Sequence, residues 1–300
     1  MNVYSESLTQ SLRRHATLQL EQLRGFWRRF NKNRAAVGGL CFVVFLVIVA
    51  IFAPWLAPRD PIRFDLVPEL LLLPPQQSYP FGTDQFGRDV LSRIVWGARV
   101  SLLVGFLAAT VAGLVGITLG SVAGYKGGRL DHLLMRATDV MLTLPTFFLI
   151  LMIALFFGPS IFNIVFIIGL TSWPTTARLV RAEFLSFRER DFTTAARAVG
   201  MSDLRIMFLE ILPNAIYPAI VDITLLIAGA IITEASLSFL GVGDANVVSW
   251  GWMLQESMRV FRRAPWTTIA PGLTITATVV ALNLLGDGLN DALNPHLKER

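Results

Sequence analysis

The sequence predicts an all-α integral membrane protein with six transmembrane helices and a helix–turn–helix between the fourth and the fifth. Of its 300 residues, 54% are hydrophobic and only 16% are charged, and the mean hydropathy is +0.58. These values exclude an ordinary soluble domain. Several apolar stretches have the length of about 20 residues that crosses a bilayer core. A polar, helix-patterned stretch at residues 191–214 is too broken to span a membrane.

Residues 1–34 form a basic segment. Apolar residues between 20 and 30 have amphipathic spacing, which predicts a helix at the membrane surface; a weakly ordered tail is the alternative. The first span is predicted at residues 35–56. Because Lys and Arg accumulate on the cytoplasmic side of membranes, the basic flank predicts a cytoplasmic N-terminus.

Residues 57–97 form a long outer segment with a Gly-rich motif near its end. Gly82 and Gly87 allow tight turns, and Thr83 or Asp84 can cap the helix that follows. A phosphate or metal site is the alternative reading, but one Gly-rich turn with scattered carboxylates favours a structural role at the outer face. The motif consists of Gly82, Thr83, Asp84, Gly87, Arg88 and Asp89.

The core at residues 98–292 contains the other predicted spans, at 100–124, 135–157, 161–180, 215–240 and 266–289. Gly and Ala in the second span predict close helix contacts, and Pro145 predicts a bend in the third. With a cytoplasmic tail at 293–300, six spans place the loop at 182–213 in the cytoplasm. Three arginines in the outer loop 241–265 depart from the positive-inside pattern: Arg259, Arg262 and Arg263.

Two short amphipathic helices are predicted around Gly200, which suits a left-handed C-terminal cap. Ser202 can cap the second helix, and Asp203 is favourable in its positive first turn. Apolar residues recur at helical spacing on both sides of the turn, namely Phe192, Ala195, Ala196 and Val199 before it and Leu204, Met207, Phe208 and Ile211 after it. Pro213 ends or kinks the second helix. This pattern predicts a docking element; a hairpin resting on the membrane without a partner is the alternative.

The helix–turn–helix resembles the coupling loop of ABC-importer permeases, written EAA, three residues, G, nine residues, I-x-LP. Ala195, Ala196, Gly200 and Leu212-Pro213 match it, while Thr194 replaces the Glu and Glu210 replaces the Ile. The resemblance implies that this loop presses into a groove of an ATPase subunit. The residues so implied are Thr194, Ala195, Ala196, Arg197, Gly200, Ser202, Asp203 and Arg205.

Further motifs extend the resemblance from about residue 30 to 297. The outer motif resembles the G-T-D-x-x-G-R-D signature of the dipeptide, oligopeptide and nickel importer subfamily, with Tyr79 where that subfamily commonly has His. The resemblance implies the type I importer permease fold and the second, C-type permease of a heterodimeric pair in the bacterial inner membrane. Implied partners are a homologous permease, two ABC ATPase subunits, a periplasmic substrate-binding protein and membrane lipid, without nucleic acid.

Carboxylates inside spans are costly and are functional candidates by default. Glu234, with Ser236 and Ser238 nearby, is a candidate for lining a translocation path; holding neighbouring helices together is the alternative. Asp222 and Asp287 lie nearer the cytoplasmic boundary, where interhelical bonding is expected. Asp139 can pair with Arg136 one turn away.

No catalytic, cofactor or metal site is expected in this chain. Its lysines, Lys32, Lys126 and Lys298, do not precede Ser or Thr, so it lacks a P-loop, and ATP with Mg²⁺ would bind the partner ATPases. The resemblance implies a transport subunit for peptides, with nickel or another small solute as the alternative. A more distant alternative is an ion-coupled secondary transporter or channel, which predicts paired charges at mid-membrane and an internal repeat.

Overall fold

A computed structural model describes residue 21 and residues 24–65 and 67–293. This part of the chain is helical, without a β-strand beyond two isolated bridges. A helix at residues 24–30 precedes the labelled elements. They are α1 (Arg34–Ile51), α2 (Ala53–Leu56), α3 (Val90–Lys126), α4 (Gly128–Thr143), α5 (Thr146–Phe157), α6 (Ile161–Arg188), α7 (Asp191–Ala198), α8 (Asp203–Arg205), a π-helical stretch (Ile206–Ile211), α9 (Leu212–Ala215), α10 (Tyr217–Phe239), α11 (Trp250–Ser257) and α12 (Trp266–Leu293). Most of the predicted basic N-terminal segment and the tail at 294–300 lie outside the described residues.

Four described helices are long and apolar enough to cross a membrane: α1, α3, α10 and α12. A fifth span results if α4 and α5 count as one, although they meet at an angle of 87°. The α6 helix has 28 residues, but its second half contains a polar run at 171–178 that lowers its mean hydropathy. Length and composition alone therefore support four or five of the six predicted spans.

The break between α4 and α5 lies at the predicted proline. Leu144 is extended, with ψ 138°, because a residue before proline is sterically disfavoured in the helical region. Pro145 then caps α5 at ψ 92°. The position predicted for the bend is confirmed, but the result is a sharp corner between two helices.

The second predicted span begins ten residues earlier than expected. The α3 helix runs for 37 residues from Val90, and Asp89 caps it by accepting a hydrogen bond from the backbone N–H of Ser92. Assigning this cap to Thr83 or Asp84 was wrong. The Thr83 hydroxyl instead donates to the carbonyl of Leu70 at 2.6 Å. This hydrogen bond closes a turn in the outer segment.

Glycines on α3 allow the close approach to α6 that the composition predicts. A Cβ added at Gly120 would lie 2.5 Å from the carbonyl oxygen of Ala177. One added at Gly124 would lie equally close to the Cβ of Phe184. Small residues let two backbones pack at short distance, which is the main route to helix association in lipid.

Candidate functional site

The turn of the helix–turn–helix has the predicted geometry. Gly200 adopts φ +78°, and the backbone N–H of Met201 donates to the carbonyl of Ala196 while that of Gly200 donates to Arg197. This pair of hydrogen bonds is a Schellman motif, which ends α7 and reverses the chain. Ser202 lies at the N-cap position of α8 as predicted, but its side chain makes no capping hydrogen bond.

The second half is not a regular α-helix. Residues Ile206–Ile211 form a π-helical stretch between α8 and α9. One extra residue per turn rotates the side chains relative to the expected 3.6-residue pattern. As a result Ile206, Met207 and Ile211 are buried, whereas Leu204 is 67% exposed. A pattern based on regular helical spacing could not detect this shift.

The predicted apolar face of the element is therefore divided. One side packs on the chain itself: Ala196, Ile206, Met207 and Ile211 form a buried cluster with Val180, Phe184 and Tyr125. The other side is exposed, and Val199 next to the turn is 78% exposed. Four more apolar side chains are exposed there: Phe192, Leu204, Phe208 and Leu209. We call these five residues the exposed apolar surface of the docking element.

Seven of the eight predicted coupling residues are exposed: Thr194, Ala195, Arg197, Gly200, Ser202, Asp203 and Arg205. Ala196 is an exception at 7% exposure, because it packs in the cluster beneath the element. Ala196 therefore offers little accessible surface in this conformation, and its place among the coupling residues stays a prediction. Thr193 was not among the residues predicted for this element. It is fully buried, and its hydroxyl donates a hydrogen bond to the carbonyl of Phe187 at 2.8 Å.

Asp203 fastens the docking element to the end of α3. Its carboxylate accepts hydrogen bonds from Lys126 Nζ at 2.5 Å and from Tyr125 Oη at 2.9 Å. Arg197 completes the contact by lying 5.6 Å from the centroid of the Tyr125 ring. The Lys126 ammonium, followed by the Tyr125 hydroxyl, holds the pKa of the Asp203 carboxyl below its ordinary value. Asp203 is therefore charged at neutral pH and links two elements far apart in sequence.

Ion pairs also join α4 to α6 near this end of the molecule. Arg181 forms a bidentate pair with Asp131, at 2.5 and 2.7 Å. Asp139 pairs with Arg178 at 2.5 Å, so the predicted pairing with Arg136 was wrong. The partner on the neighbouring helix is closer than the residue one turn away, which sequence spacing alone does not reveal.

The outer motif lies in the interior of the protein. Gly82 and Gly87 have φ +71° and +74°, as the turns require. The carbonyl of Thr83 accepts a hydrogen bond from Trp266 Nε1 at 3.0 Å, which ties the outer segment to α12. Four residues of the motif are almost inaccessible: Thr83, Asp84, Arg88 and Asp89.

Two charged residues of the motif, Asp84 and Arg88, form ion pairs within the chain. Arg88 bonds Asp84 and Glu256, each at 2.7 Å, and Arg93 bonds the same Glu256 oxygen at 2.6 Å. Glu256 lies on α11 and was not predicted from sequence, because nothing in the local pattern links it to a motif 168 residues away. No group of three or more His, Cys, Asp or Glu within the described residues could hold a metal ion. The structural reading of this motif fits these contacts.

Two of the predicted path residues are enclosed by this chain. Glu234 is fully buried on α10, where one carboxylate oxygen accepts from the Ser238 hydroxyl at 2.7 Å. Ser238 is 2% exposed. Ser236 is partly accessible, and path lining stays a prediction for all three residues. Asp222 accepts from the Thr176 hydroxyl at 2.5 Å, which is the interhelical bond expected for it.

Two protein-family models match parts of this chain. Residues 116–299 match the binding-protein-dependent transport system inner membrane component. Residues 21–75 match the N-terminal transmembrane domain of oligopeptide transport permease C. The two matches together include the first span, the C-terminal end of α3 and the whole docking element.

Curated relatives resemble the chain over nearly its full length. It is 43% identical over 283 residues to the di/tripeptide transport system permease protein DppC of Pseudomonas aeruginosa, covering 92% of this chain and 93% of that one. It is 42% identical over 291 residues to the dipeptide transport system permease protein DppC of Escherichia coli K12, covering 95% and 96%. Among solved structures, a chain of the inward-facing MetNI methionine ABC transporter is similar with a TM-score of 0.55 and 16% identity, covering 67% of this chain and 96% of that one. That identity is low enough that the likeness shows the fold alone.

Proposed function

The chain belongs to the family of binding-protein-dependent transport system inner membrane components, and we propose that it forms with a homologous permease a path for dipeptides and related short peptides. It is a permease subunit of an ABC importer. The peptide class follows the names of the relatives, which carry di/tripeptide or dipeptide transport in their descriptions. These relatives do not favour the nickel alternative.

The proposed topology has six spans and two cytoplasmic ends. The corner formed by α4 and α5 counts as one broken span, and α6 supplies another. This arrangement places the docking element in the cytoplasm and the 57–97 and 241–265 segments in the periplasm. A broken helix at membrane depth is compatible with this placement because its freed backbone groups can be satisfied by neighbouring helices or a water-filled cavity.

The exposed apolar surface of the docking element carries the proposal that an ATPase subunit binds there. The inner side of the docking element is held by the buried cluster on α6 and by the Lys126–Asp203 pair. Its outer side presents Val199 and Leu204 at 78% and 67% exposure. A rigid element with a clustered apolar surface is typical of a protein interface rather than of a solvated loop.

ATP hydrolysis would occur on the partner subunits and move this element. The Lys126–Asp203 pair connects the element to one end of α3, and the Arg93–Glu256 pair connects the other end to α11. A helix of 37 residues is about 55 Å long at 1.5 Å per residue. We infer that α3 transmits a rigid-body movement between the ATPase and the face that receives the loaded binding protein.

Cysteine crosslinking in membranes tests the docking proposal. The background is the full transporter with Cys41, the one native cysteine, replaced by Ser. Val199→Cys and Ser202→Cys, each with ATPases carrying cysteines in their predicted grooves, should crosslink with an efficiency that changes with ATP. Asn246→Cys, exposed in the loop before α11, is the matched control and should not react with the ATPases. Normal assembly without a crosslink at either docking position would contradict the proposal.

A further inference from the structure

An apolar groove of about 710 Å³ opens between α1, α3 and α12. Phe45 and Val49 of α1, Val95 of α3, and Ile269 and Leu273 of α12 contribute to its walls. Pro75 and Phe81 of the outer segment also line it. The groove therefore lies beside the ends of three spanning helices that are next to the outer segment.

Polar groups on the groove wall are already bonded within the chain. Trp266 Nε1 donates to the carbonyl of Thr83, and Trp250 Nε1 donates to that of Ile94 at 3.0 Å. The hydroxyl of Thr274 donates to the carbonyl of Ala270 at 2.9 Å. Because ordered water needs two to four polar partners, this wall favours hydrocarbon over water.

The segment before α12 adds positive charge at the mouth of the groove. Pro265 and Trp266 line the groove, and Arg262 and Arg263 immediately precede Ala264, which is fully buried. Adjacent Cα atoms are 3.8 Å apart, so the Cα of Arg263 lies within about 8 Å of that of Pro265. A long arginine side chain at that position can reach the groove entrance.

The side chains of these arginines are exposed. Within the described ranges, Arg259, Arg262 and Arg263 make no ion pair or side-chain hydrogen bond, and all three are exposed. The backbone that carries them is held, since the N–H groups of Arg263 and Ala264 both donate to the carbonyl of Val260. The segment thus presents exposed guanidinium groups from a fixed turn.

Apolar side chains alternate with these arginines. Met258 is 59% exposed and Phe261 is 51% exposed, and Trp266, which lines the groove, follows them. Aromatic residues and long basic side chains together are typical of the interface between hydrocarbon and headgroups. An acidic protein partner would account for the charge, but it would leave the apolar groove below unfilled.

We propose that this groove binds an anionic phospholipid, with an acyl chain between α1, α3 and α12 and its phosphate bound by Arg262 and Arg263. One amphipathic molecule matches both the apolar wall and the exposed charges. Guanidinium groups bind phosphate oxygens through strong, charge-assisted hydrogen bonds. The site also accounts for two of the three arginines on a flank where the positive-inside pattern disfavours them. The inference needs the helices to span the membrane, but not a particular transported substrate.

Native mass spectrometry of the purified intact transporter tests the site. The complex is titrated with phosphatidylglycerol or with phosphatidylcholine carrying the same acyl chains, and retained lipid is counted. We expect preferential retention of phosphatidylglycerol and a loss of about fivefold for each arginine removed in R262A/R263A. The control Arg63→Ala removes an exposed arginine that does not line the groove and should leave retention unchanged. Ala270→Phe, which fills the groove, should lower retention of both lipids.

Three results would overturn the proposal. The first is unchanged phosphatidylglycerol retention in R262A/R263A, including the case in which that variant instead loses binding-protein docking. The second is labelling away from α1, α3 and α12 by a phosphatidylglycerol with a photoreactive acyl chain. The third is an efficient disulfide between Ala270→Cys and the partner permease, because a protein helix would then occupy the groove. None of these measurements depends on transport, so they do not test the proposed function.

Discussion

Lys126 Nζ, in the last turn of the 37-residue α3, lies 2.5 Å from the carboxylate of Asp203, in the first turn of α8. The pair connects the longest described helix to the docking element. At the opposite end of the same helix, Arg93 reaches Glu256 of α11. The two ends of α3 are thus each fixed to an element that we propose to contact a partner protein.

Removing the Asp203 carboxylate should weaken coupling without preventing assembly. In Asp203→Asn the charge attraction to Lys126 is lost, so we expect the ratio of peptide uptake to ATP hydrolysis in proteoliposomes to fall by severalfold. Tyr125→Phe is the matched control, since it removes one hydrogen bond to Asp203 and keeps the ring beneath Arg197. An unchanged ratio in Asp203→Asn would show that the pair does not transmit movement.

The same carboxylate predicts a pH dependence of docking-element stability. Its pKa is lowered from an ordinary value of 3.8 by Lys126 and then Tyr125. A lowered folded-state pKa means that the contribution is fully present above 3.8 and is lost as pH falls through the lowered value. Hydrogen exchange of residues 203–211, expressed relative to the intrinsic exchange rate at each pH, should accelerate over that acidic range in the wild type. Asp203→Asn should lack this acceleration; an identical profile in both proteins would assign it to other groups.

Glu256→Gln should strongly destabilise the outer side of the protein. It leaves the buried Arg88 and Arg93 without one of their carboxylate partners, and breaking a buried ion pair costs roughly 3–5 kcal/mol. Glu189→Gln is the control, because Glu189 is 69% exposed in its pair with Arg188 and such pairs contribute about 0–1 kcal/mol. Thermal unfolding of the purified complex compares them; equal midpoints would contradict the structural role of the outer motif.

Gly120→Ala should separate α3 from α6. The added Cβ would meet the Ala177 carbonyl at 2.5 Å, and overpacking of this kind typically costs about 1–3 kcal/mol. Gly229→Ala provides the comparison, because a Cβ there meets nothing within 4 Å and Ala is the better helix former by about 0.5–1 kcal/mol. Thermal unfolding should give shifts of opposite sign. A neutral Gly120→Ala would mean that the two helices separate easily.

Gly200→Ala should strain the turn without a steric clash. The site is open, with nothing within 4 Å of an added Cβ, but φ is +78°. Left-handed backbone costs an L-residue roughly 1–2 kcal/mol, and Asn tolerates it better than Ala. We expect the ATPase crosslink at Val199→Cys to weaken in Gly200→Ala and to recover in Gly200→Asn. Equal crosslinking in both variants would show that docking does not depend on the geometry of this turn.

Local chemistry allowed much of this architecture to be predicted from sequence. Gly200 marks its turn because only a residue without a Cβ adopts positive φ at little cost. Pro145 marks the break between α4 and α5 because proline restricts the residue before it. The apolar runs mark four of the described spanning helices, since the bilayer requires about 20 apolar residues for each. The coupling-loop and outer motifs were sufficient to place the chain in its family.

Other features depended on contacts between distant parts of the chain. Sequence spacing paired Asp139 with Arg136, but the packing of α4 against α6 brings Arg178 closer. The π-helical stretch at Ile206–Ile211 decides which apolar residues are buried and which form the exposed surface. Glu256 joins Arg88 and Arg93 only because α11 folds back onto the start of α3.

By itself the sequence determined the membrane setting, the turn at Gly200, the break at Pro145 and the family. These depend on hydrophobicity and on backbone conformations that one or a few neighbouring residues control. Only the tertiary structure decided the partners of Asp203 and Glu256, the enclosure of Glu234, and the groove between α1, α3 and α12 beside the exposed arginines. Those properties depend on which helices pack together and on the rotation of each helix, and no local run of residues encodes either.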